Sequence, residues 1–204
     1  MLTLQGKIPR SITVACSGGV DSMAVVDFLK RNHTVTLLFV DHCTKASAEA
    51  KAFLRSYAWL HANITLKVVN ISNSEVPKGT SQEEHWRNER YAIFHDHHEA
   101  VVTCHHLDDC AETWVWSSMH GKGKIIPYRN YNVIRPFRLV RKQQFIDWCK
   151  KHSVAWSEDS SNADTKYMRN FIRHEVMEKM LVINPGLHTV IKKKVEQDFE
   201  LFVS

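Results

Sequence analysis

Residues 11–22, SITVACSGGVDS, decide the fold of this 204-residue chain. The first half of the stretch is short, apolar and rich in β-branched residues, which predicts a buried strand. The second half places Gly18 and Gly19 directly before a helical pattern that starts at Asp21. Glycines let the backbone turn tightly, and the free amides of the turn and the helix start form a nest for phosphate oxygens. The stretch therefore predicts a strand, a phosphate-binding loop and a helix.

The same alternation of short apolar strands and helical patterns continues along the chain. Further strands are predicted at 34–40, 64–70, 100–104 and near 132–134. Helices are predicted at 21–31, 46–61, 81–98, 108–119, 142–151, 164–180 and 185–202. Such alternation implies right-handed crossovers and a parallel sheet with helices on both faces. We therefore predict a five-stranded parallel α/β sheet of the Rossmann-like type, which binds ligands at the carboxyl ends of its strands.

Length and composition set the frame for this fold. A chain of 204 residues suffices for one core, or for a core with a small appendage. The break at 121–135 divides a predicted nucleotide-binding domain, 1–135, from a helical extension, 136–204, that packs on it. No apolar run is long enough to span a bilayer, and the N-terminus lacks a signal-peptide pattern, so a cytoplasmic protein is expected. The five cysteines form no C-x-x-C pair, which is typical of reduced thiols rather than a metal site.

The loop after the first strand carries an unusual charge. Asp21 adds a negative charge where phosphates are expected, which is unfavourable unless a cation such as magnesium comes between them. The competing interpretation is a Gly-Gly turn capped by Asp21. The spacing S-G-G-x-D-S is neither the Walker loop nor the dinucleotide fingerprint. It resembles the pyrophosphate loop of the ATP-pyrophosphatase superfamily (adenine nucleotide alpha hydrolase-like), which splits ATP into AMP and pyrophosphate. That resemblance implies an ATP site at Ser17, Gly18, Gly19, Val20, Asp21 and Ser22.

A second motif, HHLDDCAET at 105–113, follows the fourth predicted strand. Asp108, Asp109 and Glu112 lie within one helical turn, and Asp109 and Glu112 share a face at spacing i, i+3. Carboxylates at the end of a strand can hold magnesium, bind a cationic substrate or accept a proton. The alternative is that the acids only stabilise the N-terminus of a helix, as its dipole favours.

The segment 120–146 is strongly basic and contains aromatic residues. It has seven basic residues and no acidic one: Lys122, Lys124, Arg129, Arg135, Arg138, Arg141 and Lys142. Such a segment can contact phosphates and stack bases, so nucleic-acid binding is one interpretation and a solvated basic loop is the other.

Taken together, these motifs resemble the tRNA(Ile)-lysidine synthetase family. The family pattern H-x-x-D-D-x-x-E-T is matched at 105–113, and W-x-E-D-x-S-N-x-D-x-x-Y-x-R-N-x-I-R is matched at 156–173. Shorter matches occur at Glu83, Arg87, Arg90 and Tyr91, at Asp41, His42, Lys45 and Ser47, and at Arg135, Pro136 and Phe137 with Lys142. The matches keep the family's order from Val14 to about Gly186.

The resemblance implies a two-step reaction with ATP and Mg²⁺. The wobble cytidine of an isoleucine tRNA with a CAU anticodon is adenylated, and free L-lysine then displaces AMP to give lysidine. The catalytic residues implied are Asp21, Arg87, His105, Asp109 and Glu112. Asp109 and Glu112 are expected to bind lysine, Asp41 and His42 to lie by the adenosine, and Asp21 and Asp108 to hold the metal. The expected RNA contacts are Lys122, Lys124, Arg129, Arg135, Arg169 and Arg173.

Several alternatives stay open at this point. Arg169 and Arg173 can instead pair with Glu158 and Asp159. A tRNA thiolase also adenylates a pyrimidine, although the absent C-x-x-C argues against a sulfur carrier. A non-catalytic tRNA binder and a small-molecule amidating enzyme are further candidates. Many members of the family continue into C-terminal domains that position the tRNA, so the choice of tRNA and the oligomeric state are left open.

Overall fold

The computed structural model describes residues 1–71, 76–157 and 168–203. The strands are β1 (Ser11–Ala15), β2 (Thr34–Asp41), β3 (Ile64–Asn70), β4 (Val101–Val102), β5 (Arg129–Asn130) and β6 (Val133–Ile134). The helices are α1 (Val20–Leu29), α2 (Lys45–Trp59), α3 (Gln82–His95), α4 (Leu107–Met119), α5 (Lys142–Lys151), α6 (Met168–Phe171), α7 (Met177–Ile183) and α8 (Leu187–Val203). Across these ranges no helix combines the length and the apolar character that a bilayer span requires.

The strands form one sheet in the order β3-β2-β1-β4-β6-β5, and every pairing except β5 with β6 is parallel. The predicted α/β sheet with helices on both faces and a helical C-terminal part is confirmed. The predicted count of five strands is wrong, because β5 adds an antiparallel edge strand. It forms a tight hairpin with β6, and Tyr131 in the turn has a φ of +52°. A two-residue strand leaves no periodic pattern, so β5 could not be predicted from the sequence.

The core lies between the central strands and α1. Val14, Val35 and Leu37 of β1 and β2 have no exposed surface, and neither has Val25 of α1. Burial of each such side chain contributes about 1.5–3 kcal/mol. The sheet covers one side of α1 and α5 covers another, so α1 is apolar almost all round. The phosphate loop is therefore carried by a strand and a helix of the buried core.

Two C-terminal helices are packed onto the α/β part. α5 lies against α1, where Trp148 Nε1 donates to Asp27 Oδ2 at 2.9 Å. α8 lies against α4 in a second apolar cluster that includes Val115 and Ile191. The last strand ends at Ile134, next to the division at 135/136, and that division into domains stays a prediction.

The segment before α8 departs from the single helix predicted at 164–180. Residues 164–167 lie outside the described ranges, and the described part begins with α6 at Met168. A π-helical turn, Ile172–Val176, then separates α6 from α7. Turns of this kind are rare and are frequent at functional sites. This one lies directly above the acids of α4, as described below.

Arg138 belongs to the basic segment but lies in the interior. Its side chain is fully buried and donates to Ile126 O at 2.8 Å, to Gln5 Oε1 at 3.1 Å and to Asp198 Oδ2. The guanidinium thus joins the N-terminal segment, the loop before β5 and the end of α8. Arg138 is a structural residue, and the basic segment as a whole is not a solvated loop.

Replacing Asp198 by Ala should lower the free energy of unfolding by about 2–4 kcal/mol, because it leaves the buried guanidinium without its counter-charge. Urea denaturation measures this change. Glu196→Ala is the matched control, since Glu196 pairs with Lys192 at 3.8 Å on the surface of the same helix. The control should cost less than about 1 kcal/mol. Equal losses in the two variants would contradict the structural role of Arg138.

Candidate active site

The loop between β1 and α1 has the geometry of an anion cradle. Gly18 has a φ of +86°, which favours glycine, and its carbonyl accepts from the Ser157 N–H at 2.9 Å. The Gly19 N–H donates to Ser17 Oγ at 3.3 Å, and Ser22 Oγ donates to the Gly19 carbonyl at 2.9 Å. These bonds fix the turn at the start of α1, where the helix dipole favours negative charge.

Asp21 in the first turn of α1 has a cationic partner from far along the chain. Lys142 Nζ lies 2.8 Å from Asp21 Oδ1 and 2.7 Å from Oδ2. The two side chains are 38% and 29% exposed, so the pair is open to solvent at the loop. In the sequence, Lys142 belongs to the basic segment and to a family motif, and neither assigns it to the ATP site. Its contact with the loop identifies it as a site residue.

His106 links the phosphate loop to α4, and no role was predicted for it. It caps α4: the Asp109 N–H donates to His106 Nδ1 at 3.2 Å, and the His106 N–H donates to Asp109 Oδ2 at 3.0 Å. Its other ring nitrogen, Nε2, lies 3.9 Å from Asp21 Oδ2. The reciprocal capping pattern, a polar residue three positions before an acid, was the signal that could have identified it.

The Asp108 carboxylate is surrounded by donors from α5 and α8. It accepts from the Lys142 N–H at 2.8 Å and from Arg141 Nε at 3.1 and 3.3 Å. His188 Nε2 lies 3.1 Å from Oδ1. Burial raises the pKa of Asp108, but His188, the Lys142 N–H, His106 and Arg141 outweigh it and hold the pKa well below its usual range. Both oxygens of Asp108 have partners, so its carboxylate connects α4 to the start of α5 and to α8.

Asp109 and Glu112 are each paired with an arginine. Arg169 Nη2 lies 2.8 Å from Asp109 Oδ1, and Arg173 Nε lies 2.8 Å from Glu112 Oε1. Cross contacts join Arg173 to Asp109 at 3.2 Å and Arg169 to Glu112 at 3.5 Å. Both acid side chains are less than 10% exposed. The cluster has two negative and two positive charges, and the π-helical turn carries one of its arginines.

These contacts were not among those predicted for the arginines, and their predicted contact with RNA stays a prediction. Arg169 and Arg173 bind the acids of α4, whereas the sequence predicted either RNA phosphate or Glu158 and Asp159 as their partners. Glu158 and Asp159 lie outside the described ranges, as does most of the motif at 156–173. Burial raises the pKa of Asp109, but interactions with His106 and Arg169 outweigh it and hold the pKa well below its usual range.

His105 and Arg87 lie at the edge of this cluster. His105 Nδ1 is 2.9 Å from Thr103 Oγ1. Burial lowers the pKa of His105 to about 3, although the charge of Asp109 opposes the shift. The ring is therefore neutral at pH 7. Arg87 is exposed on α3 with its guanidinium 4.9 Å from the centre of the Tyr91 ring, and its charge adds to the lowering of the His105 pKa.

Asp41 and His42 lie at the end of β2. Asp41 accepts from Lys51 Nζ at 2.6 Å and from Ser47 Oγ at 2.7 Å, and these bonds lower its pKa to about 2. Asp41 therefore organises the turn into α2. His42 packs on Trp86 with ring centres 4.8 Å apart, and its buried Nδ1 has no hydrogen-bond partner among the described residues. A buried nitrogen without a partner is suited to a ligand at this strand end.

The residues predicted to contact RNA fall into separate groups. Lys122, Lys124 and Arg129 are exposed, after α4 and on the edge strand β5. Arg135 is 3% exposed and donates to Pro127 O at 2.9 Å and to Tyr91 Oη at 3.2 Å. A surface contact of Arg135 with RNA phosphate is thus wrong, because its guanidinium is used inside the fold.

The two predicted magnesium ligands differ in their suitability. Asp21 fits the ion: its carboxylate stands at the phosphate loop, is partly exposed, and needs a cation between itself and added phosphates. Asp108 fits less well, because the Lys142 N–H and the Arg141 and His188 side chains hold its two oxygens, whereas the partner of Asp21 is a partly exposed lysine side chain. We therefore replace the prediction that Asp108 binds the metal by a structural role, in which its carboxylate connects α4 to α5 and α8.

His105 should stay neutral when the protein is acidified. In the unfolded chain a histidine protonates near pH 6.5, whereas the pKa of folded His105 is about 3. Between these values the unfolded state binds more protons, so the stability that His105 contributes falls as the pH falls below about 6.5. NMR titration of its ring carbons should show the neutral form at pH 5. The same protein in urea is the control, and a native midpoint near 6.5 would contradict the assignment.

The fold of the chain is shared with a solved tRNA-modifying enzyme. It resembles the U34-tRNA thiolase NcsA from Methanococcus maripaludis, solved with its 4Fe–4S cluster, with a TM-score of 0.76 and 14% sequence identity over 95% of this chain and 74% of that chain. At this identity the likeness shows the fold alone.

Curated relatives share more of the sequence. The chain is 27% identical to the tRNA(Ile)-lysidine synthase of Haemophilus ducreyi over 91% of its length, and 31% identical to those of Thermosipho africanus and Staphylococcus epidermidis over 93%. It covers 46%, 48% and 49% of these relatives and thus spans about half their length. The resemblance drawn from the motifs is confirmed. A family model described as "PP-loop domain" matches residues 2–180, and the chain therefore belongs to the PP-loop domain family.

Proposed function

We propose that the chain is the catalytic part of a ligase that modifies tRNA in the cytoplasm. It adenylates the wobble cytidine of an isoleucine tRNA with a CAU anticodon, using ATP and Mg²⁺, and replaces AMP by L-lysine to form lysidine. One observation carries the proposal: the acid pair Asp109 and Glu112 meets the phosphate loop through His106, which contacts both Asp109 and Asp21. The similarity to tRNA(Ile)-lysidine synthases supports the choice of substrates.

The first step forms a bond between the carbon-2 oxygen of cytidine and the α-phosphorus of ATP. Pyrophosphate leaves with the electron pair of the broken P–O bond. The loop amides and the N-terminus of α1 bind the phosphates, and Asp21 would hold magnesium, which supplies countercharge to them. Arg87 is exposed at the edge of the site and can approach the α-phosphate. Neutral His105 can orient a phosphate without adding charge.

The second step uses the acid pair. The amine of lysine attacks carbon 2, the carbon-2 oxygen leaves with AMP, and the nitrogen loses a proton. Asp109 and Glu112 offer carboxylates to the cationic groups of lysine. The low pKa of Asp109 makes it a good partner for an ammonium and a poor proton acceptor.

Lysine must displace Arg169 and Arg173, since the cluster of two acids and two arginines is already neutral. Phosphates of bound RNA are suitable new partners for the guanidiniums, because arginine binds phosphate in a bidentate manner. Departure of Arg169 removes one interaction that keeps the pKa of Asp109 low. RNA binding would thereby expose the acid pair and make it a better proton acceptor for the attacking amine.

The alternative function is thiolation of a tRNA pyrimidine, which comes into question because a thiolase has the same fold. A sulfur carrier needs a reactive thiolate. Burial raises the pKa of Cys104 well above its usual value and that of Cys110 to about 12. The thiols of Cys104, next to the second motif, and of Cys110, within it, are therefore protonated near neutral pH, which favours lysine over sulfur as the second substrate.

Incubation with bulk tRNA, magnesium-ATP and isotopically labelled lysine should yield a labelled cytidine, detected by nucleoside mass analysis. Asp109→Asn and Glu112→Gln should each lower the incorporation at least tenfold, because an amide binds an ammonium more weakly than a carboxylate does. Asp147→Asn is the matched control and should retain full incorporation, since Asp147 is exposed on α5 and accepts from Gln143 Nε2 at 2.8 Å on the same helix.

Each other outcome has a defined meaning. Incorporation of sulfur, or of nothing, into bulk tRNA would contradict the proposal. Release of AMP without a modified nucleoside would support an ATP-pyrophosphatase with another acceptor. Full activity in Cys104→Ser and Cys110→Ser is expected, and its loss would restore the thiolase alternative.

Charge reversal at Lys122, Lys124 and Arg129 should weaken tRNA binding and flatten its salt dependence. The logarithm of the binding constant falls linearly with the logarithm of the salt concentration, and removal of three phosphate contacts reduces the magnitude of that slope by roughly three. A filter-binding series in potassium chloride measures both quantities. The control reverses the exposed residues Lys7, Arg55 and Lys67, which changes the net charge equally, and Lys67 lies on the opposite edge strand, β3. Identical curves for the two variants would exclude a local RNA contact.

A further inference from the structure

We infer that Lys142 is a phosphate ligand that binds the pyrophosphate portion of ATP and that Asp108 is its positioning residue. The inference rests on the proposed function, because it places ATP on the loop at residues 17–22. Lys142 Nζ lies between 2.7 and 2.8 Å from the two oxygens of Asp21, which stands in that loop. The residue comes from α5 in the C-terminal part of the chain, outside the motif that predicts the ATP site.

The electrostatics of the loop require a cation at this point. Asp21 repels the phosphates that the loop amides attract, and Lys142 places an ammonium directly beside it. An ammonium has three N–H donors, and the two oxygens of Asp21 take two of them. The side chain is 38% exposed, so an incoming anion can reach it. Lysine acts at other phosphate loops as a point charge of this kind.

The backbone of Lys142 is held rigidly, which a phosphate ligand needs. Lys142 is the first residue of α5, and its N–H donates to Asp108 Oδ2 at 2.8 Å. Arg141 Nε contacts the same carboxylate at 3.1 and 3.3 Å. Further along α5, Trp148 bonds to Asp27 of α1. Since α1 also carries the loop, the distance between Lys142 and the loop is set by the packing of two helices.

Asp108 is thereby distinguished from the other acids of α4. Asp109 and Glu112 face the arginines, whereas Asp108 accepts from the start of α5 and lies 3.1 Å from His188 of α8. Its oxygens hold protein groups and are not directed at a ligand. Asp108 acts through Lys142, by fixing the first turn of the helix that aims the ammonium at the loop.

Calorimetric titration of the full chain with ATP, AMP and inorganic pyrophosphate, each with magnesium, tests the inference. Lys142→Met should weaken binding of ATP and pyrophosphate by roughly ten- to a hundredfold, the value of one charged hydrogen bond. Binding of AMP, which lacks the pyrophosphate, should change less than about twofold. Lys142→Arg should retain most of the affinity for pyrophosphate. Lys150→Met, at the exposed end of the same helix, is the matched control and should match the wild type.

The Asp108 variants test the positioning role. Asp108→Asn keeps an oxygen that accepts the Lys142 N–H, whereas Asp108→Ala does not. We expect Asp108→Ala to lose pyrophosphate affinity with little change for AMP, and Asp108→Asn to restore part of it. A purely structural role would lower the affinities for AMP and pyrophosphate together.

The failures can be told apart. Wild-type protein that binds neither ATP nor pyrophosphate would overturn the proposed function and this inference with it. Wild-type binding of both, with unchanged pyrophosphate affinity in Lys142→Met, would overturn the role of Lys142 alone. An equal loss of AMP and pyrophosphate affinity in that variant would likewise overturn it, because the lysine would then serve only to shape the loop.

Discussion

The convergence of four carboxylates at one edge of the sheet is the constraint on which the site depends. Asp21, Asp108, Asp109 and Glu112 come from the N-terminal helices α1 and α4. Their counter-charges come from the C-terminal third of the chain: Arg141, Lys142, Arg169 and Arg173. Without these cations the acids would repel one another and any added phosphate. The C-terminal helices therefore contribute to the site as well as to the packing of the fold. The α/β part alone would present a cluster of negative charges without counter-charges.

In this arrangement each of the two proposed reaction steps has its own ion pair, and a substrate can break that pair when it binds. Lys142 rests on Asp21 at the phosphate loop, and the two arginines rest on the acid pair where lysine is expected. Each cation is partly exposed. In the proposed reaction each exchanges its carboxylate for a phosphate, which is the nucleotide for the lysine and RNA for the arginines. Substrate binding can thus proceed by exchange of partners at nearly constant charge, which avoids the cost of burying an unpaired ion. The π-helical turn places Arg173 within this exchange.

Local patterns in the sequence predicted the groups that lie close together in the chain. The loop at 17–22 follows from a strand, two glycines and a helix start, and the acids of α4 follow from helical spacing. The cations could not be predicted in this way, because Lys142 is 121 residues from Asp21 and Arg173 is 61 residues from Glu112. No periodicity encodes a contact over such separations. The burial of Arg135 and Arg138 was missed for a related reason: a basic residue within a basic segment looks solvated until the fold supplies carbonyls and Asp198 as partners. The edge strand β5 was too short to leave a pattern.

The central claim is that the loop and the acid pair serve consecutive steps on one RNA substrate. ATP labelled at the α-phosphate, incubated with the protein and bulk tRNA in the absence of lysine, tests it most directly. The account predicts that radioactivity becomes attached to tRNA and that added lysine releases it as AMP. Glu112→Gln should still attach the label and should release it slowly. Label that never reaches tRNA, or that leaves it equally fast without lysine, would contradict the account.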